Sequence, residues 1–314
     1  MKLSIVTTLY QSAPYLAEFH RRVATVAMRL AGDDFEIVMV NDGSPDDSLD
    51  VAMKIAYDDP RVVVVDLSRN FGHHKAMMTG LATACGDTVF LIDSDLEEEP
   101  EWLVEFARQR QQDQSDVVFG VQARRKGGLV EQLTGSLFYK VFRLFTGIDQ
   151  PDNIVTARLM SRRYVNALLQ HRERELNIGG LWVITGFKQS RQVVLKLSTS
   201  PTTYPISKKF SHFVNAVTSF SSLPLVFTFY SGLVISVTAL GYIANLLFRY
   251  LFVSTPPDGY TSIIASIWLF SGLIIFFMGV QGIYISKIFS EVKQRPYSIV
   301  RDIYRKTLDS RGAP

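Results

Sequence analysis

At 314 residues the chain has room for one sizeable domain and something more. Its formal charge of +3 is too small to argue for nucleic acid, and no basic stripe interleaved with aromatics runs through the first half. The single cysteine, Cys85, excludes a disulfide framework and a cysteine-based zinc site; the five histidines are dispersed except His73-His74, neighbours that face different ways on a helix.

Met1-Lys2-Leu3 runs straight into a strand-like pattern with no leading apolar segment of signal-peptide type, so the amino-terminal part is expected to stay in the cytosol. Leu3–Leu9, Phe35–Val40, Arg61–Leu67, Thr88–Ile92 and Asp116–Val121 read as strands, several of them near-continuous apolar runs of the parallel-sheet kind. Helical candidates alternate with them: Pro14–Leu30, Pro45–Tyr57, His74–Cys85 and Pro100–Gln112, three of which start at a proline. Ser44-Pro45-Asp46-Asp47 adds a capping signal, a hydroxyl followed three residues later by an acid. Strand spacings of roughly 26 to 32 residues suit βαβ units with right-handed crossovers, so the spacing predicts a doubly wound α/β domain with a mostly parallel sheet. Beyond Val121 the pattern loosens into a helix from Gly127 through Phe145, another over Ser161–Gln170 and a strand over Gln192–Leu197.

Val89-Phe90-Leu91-Ile92-Asp93-Ser94-Asp95 is a buried-strand pattern that ends in two carboxylates with one residue between them. At the carboxyl edge of a parallel sheet these face the crevice where open α/β folds bind ligands. Two carboxylates there repel unless a hard divalent cation sits between them, and such an ion completes its shell with substrate phosphates. Ordinary turn chemistry accounts for Asp-Ser-Asp equally well. Asn41-Asp42-Gly43-Ser44 after the second strand suits either hydrogen bonding to a base or sugar, or a capped helix start. Together with Thr7-Thr8-Leu9-Tyr10 and Ser68-Arg69-Asn70-Phe71-Gly72, four loops meet at one rim and favour a nucleotide cleft.

Leu223–Phe248 and Tyr260–Ser286 contain no charged residue. Each exceeds the roughly 20 residues needed to cross a bilayer core, which predicts two transmembrane helices. Lys208 and Lys209 before the first span, and Lys287, Lys293, Arg295, Arg301, Arg305 and Lys306 after the second, place both termini in the cytoplasm. Phe210, Phe213, Val214 and Val217 form one face of a lysine-led helix suited to the headgroup plane, and the basic, intermittently apolar tail from Tyr297 to Leu308 is compatible with a similar docking.

Asn41-Asp42-Gly43-Ser44, Leu67-Ser68-Arg69-Asn70-Phe71-Gly72 and Asp93-Ser94-Asp95-Leu96-Glu97 resemble, in order and spacing, the signatures of GT-A glycosyltransferases of family 2. Gly186-Phe187-Lys188-Gln189, Ser207-Lys208-Lys209 and the two apolar stretches extend the resemblance to polyprenyl-phosphate hexosyltransferases, the bactoprenol glucosyltransferases and dolichyl-phosphate mannose synthases. The resemblance implies a cytosolic GT-A domain over residues 1–206, an interfacial helix over 207–222, two spans at about 223–248 and 260–286, and a cytoplasmic basic tail over 287–314 of an inner (plasma) membrane protein. It implies transfer of a hexose, glucose first, from a UDP-sugar to polyprenyl phosphate with inversion. Thr8, Tyr10, Asp42, Ser68, Asn70, Gly72, Lys75 and Asp93 would bind the nucleotide-sugar; Asp95 and Glu97 would hold Mg²⁺ or Mn²⁺; Asp93, Asp95, Arg125 and Arg158 would serve catalysis; Lys208 and Lys209 would face the acceptor phosphate at the membrane surface. It also suggests a homo-oligomer.

The chain departs from that pattern at several positions. The usual Gly-Asp-Phe-Arg reads Val155-Thr156-Ala157-Arg158, Gln122 and Gly179 stand where arginine is common, and Thr8 and Gln11 replace a proline and an asparagine. The usual Gln-x-Pro-Pro reads Glu97-Glu98-Glu99-Pro100. Donor-side metal binding should survive these changes; acceptor grip and turnover are less secure. A different lipid or glycan acceptor, and a non-catalytic glycosyltransferase-like head, therefore stay open as readings.

Overall fold

The structure is a computed structural model, and it describes residues 2–122, 144, 146, 153–173, 178–196, 214, 217–252 and 259–306. These residues fall into two compact units: Met1–Lys140, Ile148–Pro205 and Arg295–Pro314 make the first, Val141–Gly147 and Ile206–Gln294 the second.

The first unit opens as the apolar periodicity predicts. Strands β1 (Leu3–Leu9), β2 (Phe35–Asn41), β3 (Val62–Leu67) and β4 (Thr88–Leu91) alternate with helices α1 (Leu16–Ala31), α2 (Ser48–Asp58) and α3 (His73–Thr83), and α4 (Trp102–Asp113) leads into β5 (Val117–Gln122). The helices begin after the prolines rather than at them. At α2 the expected Ser44 cap is replaced by Asp46, whose Oδ1 accepts from the Ser48 amide at 3.2 Å and from the Ser44 hydroxyl at 2.5 Å. Then come β6 (Ile154–Ser161), α5 (Arg162–Leu168), α6 (Ile178–Ile184) and β7 (Gln189–Val194). The Ser161 hydroxyl caps α5, accepting from the Tyr164 amide at 3.3 Å.

All strands join one eight-stranded sheet in the order β7-β5-β6-β4-β1-β2-β3-β8, where β8 is Val300–Arg305. β1 pairs in parallel with β2 and β4, β2 with β3, and β5 with β7. β6 runs antiparallel between β4 and β5, and β8 antiparallel beside β3. The sheet is mixed, with six strands running one way and these two the other. One face carries Ile5, Ile37, Val64 and Phe90 against Phe19 and Val23 of α1, Ala52 of α2 and Phe106 of α4. Phe90 and Phe106 meet edge to face at 6.1 Å. On the opposite face α3 lies so close that a Cβ on Gly80 would come within 2.5 Å of a Val6 methyl, which is why a glycine sits mid-helix.

Three expectations change. Ile154–Ser161 is a strand that the sequence pattern does not single out, because Thr156 and Arg158 interrupt its apolar run; the sheet buries Arg158 all the same. The last strand of the head lies at Gln189–Val194 rather than Gln192–Leu197. The tail from Tyr297 is not an interfacial helix over Val300–Arg305: it forms β8 and covers the edge of β3 that would otherwise leave its backbone groups unpaired. The helix expected over Gly127–Phe145 and most of the lysine-led segment before Val217, including Lys208 and Lys209, lie outside the described residues.

The second unit holds two long helices, α7 (Leu223–Phe252) and α8 (Tyr260–Val292). Within α8, Ser266–Val292 is long and apolar enough to cross a membrane, with mean hydropathy 1.8; the described apolar stretch of α7 is the shorter Leu223–Ile235. Of the two expected spans, one is matched by a helix long and apolar enough among the described residues. Near the ends of these helices, the Tyr284 hydroxyl donates to the Ser221 carbonyl at 2.6 Å and the Lys287 ammonium lies 2.7 Å from the Ser219 hydroxyl.

Candidate active site

Because β1 to β4 run parallel, their carboxyl ends deliver four loops to one rim. The first two to interlock are those after β2 and β3. Asp42 is buried, and its carboxylate accepts from the amides of Phe71 at 2.7 Å and Gly72 at 3.0 Å. Burial raises the Asp42 pKa above the ordinary carboxylate value, with those two amides pulling the other way. Gly43 has φ +58°, and a Cβ there would stand 2.4 Å from the Asn70 nitrogen, so only glycine lets the loops close on each other. Ser68, Asn70 and Gly72 lie along this second loop, and Lys75 lies in the first turn of α3, its amide bonded to the Gly72 carbonyl. From β1, the Thr8 hydroxyl lies 3.0 Å from His73 Nδ1, while Tyr10 stands half exposed at the rim.

The acidic cluster follows β4, whose pairing with β1 is extended by the Ile92 amide bonding the Val6 carbonyl. Asp93 Oδ1 is buried with no hydrogen bond, and His73 Nε2 is 3.4 Å away, close enough for charge attraction. Burial opposes ionisation of Asp93, but His73, Thr156 and Lys196 outweigh it and hold the carboxyl below its usual range. Asp95 is pushed up, chiefly by burial and then by the charges of Asp93 and Glu97, although its Oδ1 accepts from the Glu97 amide at 3.0 Å. Between Asp95 and Glu97, Leu96 adopts φ +60°, a conformation that costs a non-glycine residue about 1–3 kcal/mol and gathers at functional sites.

Glu98 is fully buried. Its Oε1 accepts from the Thr156 amide at 2.9 Å, its Oε2 has no partner, and burial followed by repulsion from Asp93 pushes its pKa up to about 8. Lys196, just past β7, lies 3.3 Å from Glu97 Oε2 and 3.8 Å from Glu98 Oε1. Burial works against its charge, but Glu98, Asp93 and Asp95 keep its pKa above the ordinary lysine value. Nothing in the pattern after Gln189 marks Lys196, and His73 is hidden in a histidine pair with no metal-clamp spacing. Only the folded sheet brings either to the acids.

Does this donor set fit a divalent cation? Four carboxylates face one lysine and one histidine, and two of their oxygens are buried without a hydrogen bond. The ligands are hard oxygens. Among the described residues, however, no three acids, histidines or cysteines are grouped so as to hold an ion by themselves. That combination fits an ion gripped by one or two carboxylates and completed by substrate phosphates.

Arg158 lies deeper on β6, opposite Leu91 of β4 and Phe119 of β5. Its guanidinium stacks on the Trp182 ring and donates to the carbonyls of Thr156 at 3.2 Å and Val155 at 3.3 Å. Burial lowers its pKa to about 9. Arg158 and Trp182 line a cavity of about 330 Å³; a second, of about 260 Å³, is lined by Glu98, Gln122, Thr156 and Lys196 beside the acids. Arg125 lies outside the described residues, and Gly179 is in α6.

Residues 4–169 match the family model described as glycosyl transferase family 2, more than half of the chain. The chain belongs to glycosyltransferase family 2. Its mixed sheet is GT-A-like. This glycosyltransferase is 48% identical to a protein of Mycobacterium tuberculosis called a putative glycosyltransferase, over 99% of this chain and 91% of the relative. It is 32% identical to an uncharacterized glycosyltransferase of Bacillus subtilis, over 97% of this chain and 94% of that one. It is also 30% identical to the prophage-derived bactoprenol glucosyl transferase of Shigella flexneri, over 97% and 99% of the two chains.

Proposed function

We propose that this glycosyltransferase is anchored in the inner membrane by α7 and α8, with both termini on the cytoplasmic side, and moves a hexose, glucose first, from a UDP-sugar to polyprenyl phosphate. The observation that carries the reading is the acidic cluster after β4, where buried carboxylate oxygens lack partners beside the interlocked loops of Asp42 and Gly72. The name of the Shigella relative supports the choice of sugar and lipid. The apolar stretch Ser266–Val292 of α8, longer than the roughly 20 residues that span a bilayer, and the uncharged run Leu223–Phe248 of α7 support the anchoring.

In this reading Asp42 braces the two loops that receive the nucleotide, with Thr8, Tyr10, Ser68, Asn70, Gly72 and Lys75 around it. Asp95 and Glu97 would hold Mg²⁺ or Mn²⁺, which supplies Lewis-acid stabilisation to the leaving diphosphate. His73 holds Asp93 and Thr8 in place, and Lys196 pairs with Glu97 and lies beside buried Glu98, offsetting part of the negative charge of the cluster. A lipid phosphate is already ionised near neutral pH, so no strong base is required of the protein. What remains is to bring two anions together, a task for basic side chains: Arg158, Arg125, and Lys208 and Lys209 at the membrane surface. Direct displacement inverts the anomeric carbon. Holding the cleft at the bilayer surface raises the effective concentration of the acceptor.

The test uses membranes bearing the full chain, Mg²⁺, radiolabelled UDP-glucose and undecaprenyl phosphate. Label passing into the organic phase is expected, and Asp95→Ala should abolish it while leaving the protein folded and in the membrane. Label entering polymer would instead assign a glycan acceptor. UDP binding without transfer would favour a non-catalytic head, the reading that Thr156 in place of the family acid keeps open.

A further inference from the structure

The chain that follows α8 ends up against the two loops assigned to the nucleotide. In the β3–β8 ladder Asp66 faces Asp302 and Leu67 faces Val300, so Arg301 is an extra residue in a β-bulge. Bulges bend a strand and re-aim a side chain, and they recur beside active sites. Here the Arg301 guanidinium donates to the Ser68 carbonyl at 2.7 Å and stands 3.3 Å from Asp66 Oδ2. Asp66 is 1% exposed, and that oxygen has no hydrogen bond. Its other oxygen accepts from the Asn41 side-chain amide at 2.8 Å, and the Asn41 side-chain oxygen accepts from the Ser44 amide at 3.3 Å. A second tie joins the same segments, the Ser68 amide donating to the Ile299 carbonyl at 2.9 Å. Arg301 thus touches the loop after β3 directly, and the loop after β2 through Asp66 and Asn41.

We propose that Arg301 is a positioning residue for the donor nucleotide: it neutralises buried Asp66 and so fixes the 41–44 and 68–72 loops in register with each other, from more than 200 residues away in the chain. The inference rests on reading those loops as the nucleotide cradle. The physical reason is the cost of an uncompensated buried carboxylate: without Arg301, Asp66 loses its charge partner in the ladder and its hold on Asn41 loosens. Lysine keeps the charge but not the planar fork that reaches Asp66 and the Ser68 carbonyl together.

The experiment compares full-length Arg301→Gln, Arg301→Lys, Asp66→Asn, the Asp66→Asn/Arg301→Gln double variant and, as a control on the same strand, Arg305→Ala. UDP binding with Mg²⁺ is measured by calorimetry, and KM for UDP-glucose is separated from kcat. Arg301→Gln should weaken UDP binding and raise KM about tenfold, kcat should change by less than about threefold, and the double variant should lose little beyond the single ones because the two residues act as a pair. Arg301→Lys should recover part of the loss, and Arg305→Ala should bind UDP as the parent does. Unchanged UDP affinity in Arg301→Gln overturns the proposal; if that variant does not fold, unchanged affinity in Arg301→Lys does so. Equal weakening by Arg305→Ala also overturns it, reducing β8 to a strand that merely stabilises the sheet. If the parent chain itself binds no UDP, the donor-site reading falls and this one with it, an outcome distinct from failure of Arg301 alone.

Discussion

Gly43→Ala tests whether the site depends on the close approach of two loops. Gly43 and Gly32 both have positive φ, +58° and +57°, so alanine at either carries a backbone cost of about 1–3 kcal/mol. They differ in surroundings. A Cβ at Gly32 meets nothing within 4 Å, whereas at Gly43 it would lie 2.4 Å from the Asn70 nitrogen and 2.5 Å from the Arg69 carbonyl carbon. Both obstacles are backbone, so no side chain can swing away, and the loop after β3 must retreat as a body. Such overpacking costs about 1–3 kcal/mol. Retreat also stretches the bonds from the Phe71 and Gly72 amides to Asp42, each worth about 1.5–3 kcal/mol because the acceptor is charged. Allowing for partial relaxation, Gly43→Ala should cost about 2–4 kcal/mol more than Gly32→Ala. At about 2–4 °C per kcal/mol, that is a melting point lower by roughly 5–15 °C. Thermal unfolding of the detergent-solubilised full chain at one fixed scan rate measures the difference, with UDP binding recorded alongside. If the two variants melt within about 2 °C of each other, the loops do not interlock as described.

Chelation with EDTA should abolish sugar transfer and added Mn²⁺ should restore it, with no change in melting temperature in the absence of nucleotide, since no three described ligands form a cage by themselves; transfer persisting in EDTA would remove the ion from the reaction. Burial alone would raise Asp59, but Arg61 and His20 bring it down to about 2, below its unfolded value near 3.8. Its contribution of about 2 kcal/mol is therefore present above about pH 4 and lost as pH falls toward 2, and Asp59→Asn should remove that slope in urea unfolding followed against pH. Arg158 is buried with no carboxylate within hydrogen-bonding distance among the described residues, so Arg158→Met should leave stability within about 1 kcal/mol of the parent while transfer falls; a large loss in melting temperature would show that its carbonyl bonds and the Trp182 stack outweigh the cost of burying its charge.

The alternation from β1 to β5 is legible in the sequence because each parallel strand is buried on both faces and so reads as a short apolar run, while α1 to α4 carry their own periodicity. The rim position of Asp42, Asp93 and Asp95 follows from that alone: a residue just past a parallel strand lies at the carboxyl edge whatever its neighbours do. The antiparallel partners were decided by the tertiary structure. Val300-Arg301-Asp302-Ile303-Tyr304-Arg305 alternates too weakly to choose between a surface helix and a strand, and the unpaired edge of β3 settles it. Ile154–Ser161 looks too polar for a central strand until β4 and β5 flank it and Trp182 receives Arg158. Lys196, His73 and Arg301 join the site only through tertiary contacts, from His73–Asp93, 20 residues apart in the chain, to Arg301–Asp66, 235 apart. Local patterning records which face of an element is buried; it carries no term for which distant charge will come to rest beside a carboxylate, and that pairing is made only when the sheet closes.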